Sequence, residues 1–244
     1  MSLVEPASPT VSVLIVNWNT RDLLHQCLTS LEDAEATGYL EVIVVDNGSS
    51  DGSAELLREG EYEAIINTDN RGFTAATNQA FERATAPYIL MLNSDTVVSP
   101  GTIRSCVEYM RSAGNVAGVG CRLLNPDGTA QSSVFRFPSL KGVILTTSFL
   151  SRIVPRSAAI NFDRYGGGNL NEVADVDVVM GSFLLIDREF LVDDSLLDDG
   201  YFMFGEETDL CRRLRAAGGR IVFLPHRSIM HVHGASAKTA DKIA

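Results

Sequence analysis

The residues best suited to chemistry in this chain stand at the ends of apolar segments. Asn93-Ser94-Asp95 directly follows the apolar run at residues 88–92. A buried parallel strand reads as a continuous hydrophobic run, and ligands of open α/β sheets bind at the carboxyl ends of strands. A carboxylate placed there can share a divalent cation with a diphosphate. An ordinary Asx-type turn after a strand explains the same residues about equally well.

Two further apolar runs end in polar side chains that could join the same site. Residues 11–16 lead into Asn17 and Asn19, and residues 41–45 lead into Asp46 and Asn47. In a doubly wound sheet these ends converge on one crevice. Amides and a carboxylate suit the donors and acceptors of a nucleobase and a ribose, whereas Asp95 suits a metal diphosphate. A turn with a helix cap is the alternative explanation for residues 47–52.

The elements that must position these residues alternate regularly through residue 124. Apolar, β-branched runs predict strands, and apolar residues at helical spacing predict helices between them. The predicted strands are 11–16, 41–45, 64–66, 88–92 and 116–124, and the predicted helices are 22–31, 53–57, 74–84 and one that begins at Pro100. This order predicts an α/β fold with a doubly wound, mostly parallel sheet and right-handed crossovers.

The second half of the chain is less regular. Residues 135–170 show no clear periodicity and are interpreted as a variable insertion with one short helix around 140–150. Strands are predicted at 176–180, 182–186 and 220–224, and an amphipathic helix at 206–217. Gly218 and Gly219 are the stop signal of that helix.

Composition excludes several classes of function. The chain has 31 Asp plus Glu against 20 Lys plus Arg, a net charge of −11, which argues against sequence-independent nucleic-acid binding. A phosphorylated ligand would need a metal ion or helix amino termini. Neither a GxGxxG after the first strand nor a P-loop sequence is present. The four cysteines have no metal-ligand spacing and are expected to be reduced and packed in the core.

Targeting signals are not visible either. No secretory signal is recognisable, and no apolar run approaches the ~20 residues that span a bilayer. We therefore expect a cytoplasmic protein, with contact at the inner face of the membrane left open.

Taken together, these segments resemble the family 2 glycosyltransferases, enzymes of the GT-A fold that use nucleotide-sugar donors. The resemblance covers nearly the whole chain, from residue 11 to about residue 236. It rests on the order and spacing of the motifs VSVLIVNWN (11–19), VVDNGSSDG (44–52), NRGFTAATN (70–78), LNSD (92–95), MGSF (180–183), YFMFGEETDLCRRL (201–214) and IMH (229–231). The residues of these motifs are most similar to those of the bacterial rhamnosyltransferase-like branch, which builds polysaccharide.

The resemblance implies roles on the donor side of the site. Asp46 would hydrogen-bond the donor base, and Arg71 and Asn78 would line the nucleotide and phosphates. Asn93-Ser94-Asp95 would be the DxD-type element with Asp95 as the ligand of Mg²⁺ or Mn²⁺, although Asn93 replaces its first carboxylate. Mg²⁺ keeps several waters in any case, so one carboxylate suffices. His231 would be a second metal ligand; a buried or capping histidine is the alternative.

The resemblance also implies a catalytic base in the acidic pair Glu206 and Glu207. Inverting transfer requires a carboxylate that takes the proton of the acceptor hydroxyl, and Glu207 matches the family's base. Glu206, Glu207 and Asp209 could instead only complement the positive amino end of the helix, an effect of about 0.3–1 kcal/mol each. Three acids in one turn exceed that need. Asp209 is interpreted as a cap at the helix start.

The sequence therefore predicts an inverting, metal-dependent glycosyltransferase. Its partners would be a nucleotide-diphosphate sugar and a saccharide or lipid-linked saccharide acceptor. We expect one domain at residues 4–236, with a nucleotide-sugar half (4–124), an acceptor and catalytic half (125–236) and a tail (237–244). Two alternatives stay open: a sugar-phosphate nucleotidyltransferase and a catalytically inactive nucleotide-sugar-binding module.

Overall fold

The first part of the chain builds one edge of a large sheet from alternating strands and helices. The computed structural model describes residues 8–60, 62–140, 171–193 and 195–232. The strands are β1 (Val11–Asn17), β2 (Leu40–Asn47), β3 (Ala64–Asn67) and β4 (Tyr88–Asn93). The helices between them are α1 (Arg21–Thr29), α2 (Glu32–Ala36), α3 (Ser53–Glu59) and α4 (Phe73–Phe81).

The remaining elements complete the sheet and carry the last helix. They are β5 (Thr96–Val98), α5 (Thr102–Ala113), β6 (Val116–Leu124), β7 (Val134–Phe135), β8 (Ala174–Val176), β9 (Val178–Val179), β10 (Phe183–Asp187), α6 (Glu206–Ala216) and β11 (Arg220–His231). A 3₁₀ turn at Arg188–Phe190 follows β10. The helix predicted around 140–150 lies almost wholly outside the described residues.

The sheet has the strand order β3-β2-β1-β4-β10-β6-β11-β5, with β8 paired to β11. The first four strands are mutually parallel, and β6 is parallel to β11. The prediction of a doubly wound, mostly parallel α/β fold is confirmed. The chain order did not reveal that β10 enters between β4 and β6 and runs antiparallel to both.

Side chains alternate across the sheet and bury one core on each face. Val13 and Ile15 of β1 belong to the core that packs against α1, α3 and α5. Leu14, between them, belongs to the opposite core, with α4 and α6. Because the strands are covered on both faces, they read as continuous apolar runs. All four cysteines are free and buried, as expected.

Strand β11 is longer than its sequence pattern predicted. The prediction ended it at Leu224, but the strand continues through a register shift between Leu224 and Ser228 as far as His231. Its final residues pair with β5, where His231 lies opposite Thr96. The irregularity at Pro225 interrupts the apolar pattern without ending the strand, since bulges tolerate proline. This extension brings the last histidine of the described chain to the tip of β4.

The last helix ends where its glycines predicted. Gly218 has a φ of 90°, and the amide of Gly219 donates to the carbonyl of Leu214. This is the left-handed helix end that glycine permits. A side chain at Gly219 would collide with Ala117, because its Cβ would stand 2.1 Å from the Cβ of that alanine.

Candidate active site

The tips of β1 and β2 are joined by a buried hydrogen-bond network. Asn17 and Asp46 are register partners, and Asn17 Nδ2 donates to Asp46 Oδ1 at 2.9 Å. The other oxygen of Asp46 accepts from the backbone amide of Ser49 at 3.1 Å. Asp46 is fully buried. Its carboxylate therefore ties the tip of β1 to the loop after β2.

The network continues from β1 to the tip of β4. The Thr20 hydroxyl donates to Asn17 Oδ1 at 2.7 Å. Its oxygen lies 2.9 Å from Ser94 Oγ. Because the hydrogen of Thr20 is already used, Ser94 is the donor in this second bond. Thr20 was not predicted as part of the site, since a threonine before a helix reads as a cap.

Asn19 connects the loops after the first two strands. It is one of the few non-glycine residues with positive φ, 54°. Its backbone amide donates to Ser49 Oγ at 2.9 Å, and its side-chain oxygen accepts from the Ser50 amide at 2.7 Å. Asparagine tolerates this conformation better than most residues. Asn19 thus shapes the loop that was predicted to face a nucleoside.

Asn47 organises the segment that carries Arg71. Its Nδ2 donates to Asn70 Oδ1 and to the Gly72 carbonyl. Its Oδ1 accepts from Asn67 Nδ2 and from the Arg71 amide. Both amide hydrogens of Asn47 are used in this way. The Arg71 side chain itself is exposed. Asn67 and Asn70, which were not predicted as site residues, complete this arrangement.

Asn78 lies in α4 and holds a segment from the second half of the chain. Its Nδ2 donates to the Leu197 carbonyl at 2.9 Å and to Asp199 Oδ1 at 2.8 Å. Its Oδ1 accepts from the Leu197 amide at 2.9 Å. The side chain is buried. The contacts of Asn78 are therefore those of a clamp between the two halves.

Asp95, just after β4, and His231, at the end of β11, are in contact. His231 Nε2 lies 3.3 Å from Asp95 Oδ1, and both residues are buried. The predicted juxtaposition is therefore present, although 136 residues separate the two in the chain (231 − 95). Ser182 Oγ lies 3.3 Å from the same Nε2 and accepts from Asn93 Nδ2 at 3.0 Å.

This pair fits part of a divalent-cation site. A carboxylate oxygen and a neutral imidazole nitrogen are both acceptors, so their close approach calls for a proton or a cation between them. The described residues contain no cluster of three or more His, Cys, Asp or Glu side chains that could hold a metal. Mg²⁺ and Mn²⁺ accept carboxylate, phosphate and water ligands, so a diphosphate could supply the rest.

The acidic pair has the electrostatics of a proton-accepting site. Glu206 is 7% exposed, and its Oε2 has no hydrogen-bond partner within the described structure. Burial and the neighbouring charge of Glu207 raise the pKa of Glu206 to about 7. Burial also raises the pKa of Glu207, whose side chain is only half-buried. Both carboxyl groups are thus better proton acceptors than ordinary glutamates.

The loop before β10 lies between the acidic pair and the Asp95–His231 pair. A side chain at Gly181 would bring its Cβ within 3.8 Å of Glu207 Cβ. The next residue, Ser182, is the one beside His231. Glu207 and His231 therefore lie against adjacent residues of one short loop, in the predicted MGSF motif, and Asp95 lies beside His231.

Asp209 does not cap α6, contrary to the prediction. The N-cap position is Gly205, with a φ of 95°, and no side chain caps the helix. Asp209 instead accepts from Arg213 Nε at 2.8 Å, one turn further along. Glycine occupies the cap because the backbone there is left-handed.

The segment before α6 carries exposed aromatic residues, and a cavity lies beside that helix. Residues 201–204 are all exposed, and Phe204 adopts a left-handed φ of 69°. The Phe202 carbonyl accepts from the Phe73 amide at 2.8 Å, which joins this segment to the start of α4. A cavity of about 260 Å³ beside α6 is lined by Pro138, Tyr201, Gly205, Thr208, Asp209 and Arg212.

Known proteins are similar to this chain over most of its length. The chain is 26% identical over 248 residues to the N-acetylglucosaminyl-diphospho-decaprenol L-rhamnosyltransferase of Mycobacterium tuberculosis (strain CDC 1551 / Oshkosh), covering 95% of this chain and 80% of that protein. It is 26% identical over 229 residues to the rhamnosyltransferase WbbL of Escherichia coli (strain K12), covering 91% and 83%.

Solved structures support the fold. The mannosyltransferase PcManGT from Pyrobaculum calidifontis, in complex with GDP-Man and Mn²⁺, superposes with a TM-score of 0.65 at 18% identity. The match covers 98% of this chain and 61% of that one, so this chain spans less than two thirds of that protein. The GT-A fold class is confirmed.

The fold is thus that of the GT-A glycosyltransferases. The family model "Glycosyl transferase family 2" matches residues 12–191, and the chain belongs to that family. The family prediction and its rhamnosyltransferase-like relatives are confirmed. Of the helices in the described ranges, none combines the length and the apolar character needed to cross a membrane.

Proposed function

We propose that the protein transfers a sugar from a nucleotide-diphosphate sugar to an acceptor hydroxyl with inversion of configuration. The observation that carries the proposal is the position of Glu207, which approaches Gly181 while the adjacent Ser182 lies beside His231. A proton acceptor and a diphosphate-binding pair would then face the two sides of one reacting carbon. That is the arrangement a single displacement requires.

The donor would bind across the tips of β1, β2 and β4. Asn17, Asn19 and Asp46 would shape the site for the nucleoside, and the exposed Arg71 would meet the phosphates. Asn47 and Asn78 would act indirectly, since their amide hydrogens hold the loop at Arg71 and the segment at Leu197. Asn93 and Ser94 would orient the diphosphate end.

Asp95 and His231 would hold Mg²⁺ or Mn²⁺ at the diphosphate. When bound, the ion would supply charge neutralisation to the leaving nucleoside diphosphate. Asn93 contributes an amide where the common motif has a carboxylate, so Asp95 would be the one carboxylate ligand of that element.

Glu207 would take the proton of the acceptor hydroxyl. The acceptor oxygen forms a bond to the anomeric carbon while the bond from that carbon to the diphosphate oxygen breaks. The leaving diphosphate keeps the electron pair, and the proton stays on the Glu207 carboxyl group. Glu206, which is buried, would act as a supporting residue, and burial and the neighbouring charge of Glu207 raise its own pKa to about 7.

The acceptor would be a saccharide or a lipid-linked saccharide used in bacterial polysaccharide or glycolipid synthesis. Support comes from the relatives, one of which is named for a diphospho-decaprenol acceptor. The exposed residues 201–204 and the cavity beside α6 offer an apolar and polar surface next to the acidic pair. We place the enzyme in the cytoplasm, at the inner face of the membrane where such an acceptor would be presented.

A binding and turnover experiment tests the proposal. Purified protein is heated with UDP, GDP, dTDP or CDP, with and without Mn²⁺, because a ligand stabilises by RT ln(1 + [L]/Kd), about 2.7 kcal/mol at 100 Kd. Matching sugar nucleotides are then assayed for donor hydrolysis. We expect one nucleotide to stabilise the protein with Mn²⁺ and its sugar conjugate to be hydrolysed. Binding without any hydrolysis would favour an inactive binding module, and no binding at all would refute the proposal.

A further inference from the structure

The imidazole ring of His231 is held in one orientation by Gln131. Gln131 Nε2 lies 2.7 Å from the backbone carbonyl oxygen of His231, an atom that can only accept. The amide nitrogen of Gln131 must therefore face that carbonyl. Its oxygen, Oε1, then faces His231 Nδ1 at 2.8 Å.

Further partners fix the direction of the same amide independently. Gln131 Nε2 also lies 2.8 Å from Asn125 Oδ1, and Asn125 Nδ2 lies 2.9 Å from Thr129 Oγ1. The Thr129 hydroxyl is 2.6 Å from Asp127 Oδ1. Hydrogen bonds from Thr129 lower the pKa of Asp127, so this carboxylate is ionised and only accepts. The side-chain bonds from Gln131 through Asn125 and Thr129 therefore all donate toward Asp127, which leaves Gln131 Oε1 as the acceptor facing the His231 ring.

This directionality determines which ring nitrogen carries the hydrogen. Because Gln131 Oε1 accepts, His231 Nδ1 must donate, whether the ring is neutral or protonated. In the neutral ring, the lone pair is then on Nε2. That nitrogen faces Asp95 Oδ1 and Ser182 Oγ, each at 3.3 Å. A ligand imidazole needs this tautomer, with its second nitrogen donating to a partner outside the site.

We propose that Gln131 is a positioning residue that locks His231 in the Nδ1–H tautomer and so presents Nε2 to the cation at Asp95. The inference rests on the proposed function for the identity of that cation. The turn at residues 125–131 becomes the orienting device of the site. Its sequence, Asn125-Pro-Asp-Gly, reads only as a surface turn.

The backbone of the turn supports this role. The Asn125 amide donates to the Thr129 carbonyl, and the Gln131 amide donates to the Leu123 carbonyl, both at 2.8 Å. Gly128 has a φ of 82°, which closes the turn. The turn is thereby anchored to the end of β6, the strand that runs beside β11. Gln131 thus reaches His231 from a turn that is hydrogen-bonded to β6.

The first test measures cation affinity. In the variant Gln131→Met, a side chain of similar length replaces the amide oxygen with a thioether, which accepts only weakly. We expect Mn²⁺ affinity in the presence of UDP, GDP or dTDP to fall by about 10–100-fold, the usual effect of losing such a partner. Mn²⁺ binding is followed by electron paramagnetic resonance. Gln26→Met, at an exposed glutamine of α1, is the matched control and should bind as wild type does. Unchanged affinity in Gln131→Met would overturn the proposal.

The second test requires neither metal nor activity. The ¹⁵N chemical shifts of the ring nitrogens report the tautomer of His231 in metal-free wild-type protein at pH 8, above the usual titration range of histidine. We expect Nδ1–H in the wild type and a shift toward Nε2–H in Gln131→Met. Finding Nε2–H in the wild type would overturn the proposal. If the tautomer is as expected but no Mn²⁺ binds, the proposed metal dependence fails while the tautomer lock stands.

Discussion

Two buried carboxylates in this protein differ in their hydrogen bonding. Asp46, at the tip of β2, is fully buried, and each of its oxygens accepts a hydrogen bond, from Asn17 and from Ser49. Glu206, at the start of α6, is nearly as buried, yet one of its oxygens has no partner in the described structure. The pKa of Glu206 is raised to about 7 by burial and by Glu207.

The difference shows that burial and hydrogen bonding have opposite effects on a buried carboxylate. Donated hydrogen bonds stabilise the charged form of a carboxyl group, whereas desolvation alone destabilises it. The hydrogen bonds to Asp46 therefore satisfy its charged form, which suits the donor-binding role proposed for the strand tips. The helix side is left unsatisfied and ready to take a proton, a state that costs stability and is characteristic of functional sites.

Removal of the proposed base should have the largest effect and tests whether the acidic pair takes a proton. We expect Glu207→Gln to keep nucleotide affinity but to slow sugar transfer by roughly 10²-fold or more, because the glutamine cannot accept the proton. Transfer rates and nucleotide affinities measured side by side would show this. Glu206→Gln is the control variant and should have the milder effect. A dead Glu206→Gln beside an active Glu207→Gln would mean that the roles are reversed.

The next largest effect should come from the cation side. Asp95→Asn removes the one carboxylate of the Asn93-Ser94-Asp95 element, so we expect the Mn²⁺-dependent part of nucleotide-diphosphate binding to disappear while the fold persists. Isothermal titration with and without Mn²⁺ measures it. Asp22→Asn, on the exposed face of α1, should leave that part intact. Equal Mn²⁺ enhancement in Asp95→Asn would remove this residue from the site.

A pH experiment tests the unsatisfied environment of Glu206 directly. The folded pKa of Glu206 lies above its ordinary value of 4.5, so the folded state holds the proton longer than the unfolded state does. Stability contributed by this group is thus present at low pH and is lost as pH rises from about 4.5 to about 7. Glu206→Gln lacks this loss.

The expected result is a change in the stability difference between variant and wild type. On going from pH 5 to pH 8, Glu206→Gln should gain on wild type by up to about 3 kcal/mol, from ~1.4 kcal/mol per pKa unit. Urea unfolding at both pH values measures the gain, and Glu63→Gln, at an exposed position, controls for the substitution itself. A difference that does not vary with pH would contradict the raised pKa.

Local sequence patterns predicted the strand ends of the site well, but they did not predict the strand pairing and side-chain contacts that join them. The runs before Asn17, Asp46 and Asn93 identified strand tips that do converge, because continuous apolar runs report burial on both faces. The same patterns could not show β10 between β4 and β6, or β11 extending to His231, since pairing partners leave no local trace. Gln131 and Thr20 were missed because their roles depend on residues brought near only by the fold.

The smallest expected effect is that of replacing Asn78. This residue was predicted to line the nucleotide and phosphates, and in the structure its side chain contacts Leu197 and Asp199. Asn78→Ala leaves the amide and the carbonyl of the buried Leu197 without partners, so we expect a loss of about 2 kcal/mol in unfolding free energy. Gln26→Ala, on an exposed helix face, should change stability by less than about 0.5 kcal/mol. If Asn78 only clamps the segment at Leu197, nucleotide affinity at a temperature where both proteins are folded should change less than threefold. A tenfold loss of nucleotide affinity with unchanged stability would instead mean that Asn78 contacts the nucleotide sugar directly. The hydrogen-bonded residues would then bind the ligand as well as stabilise the fold.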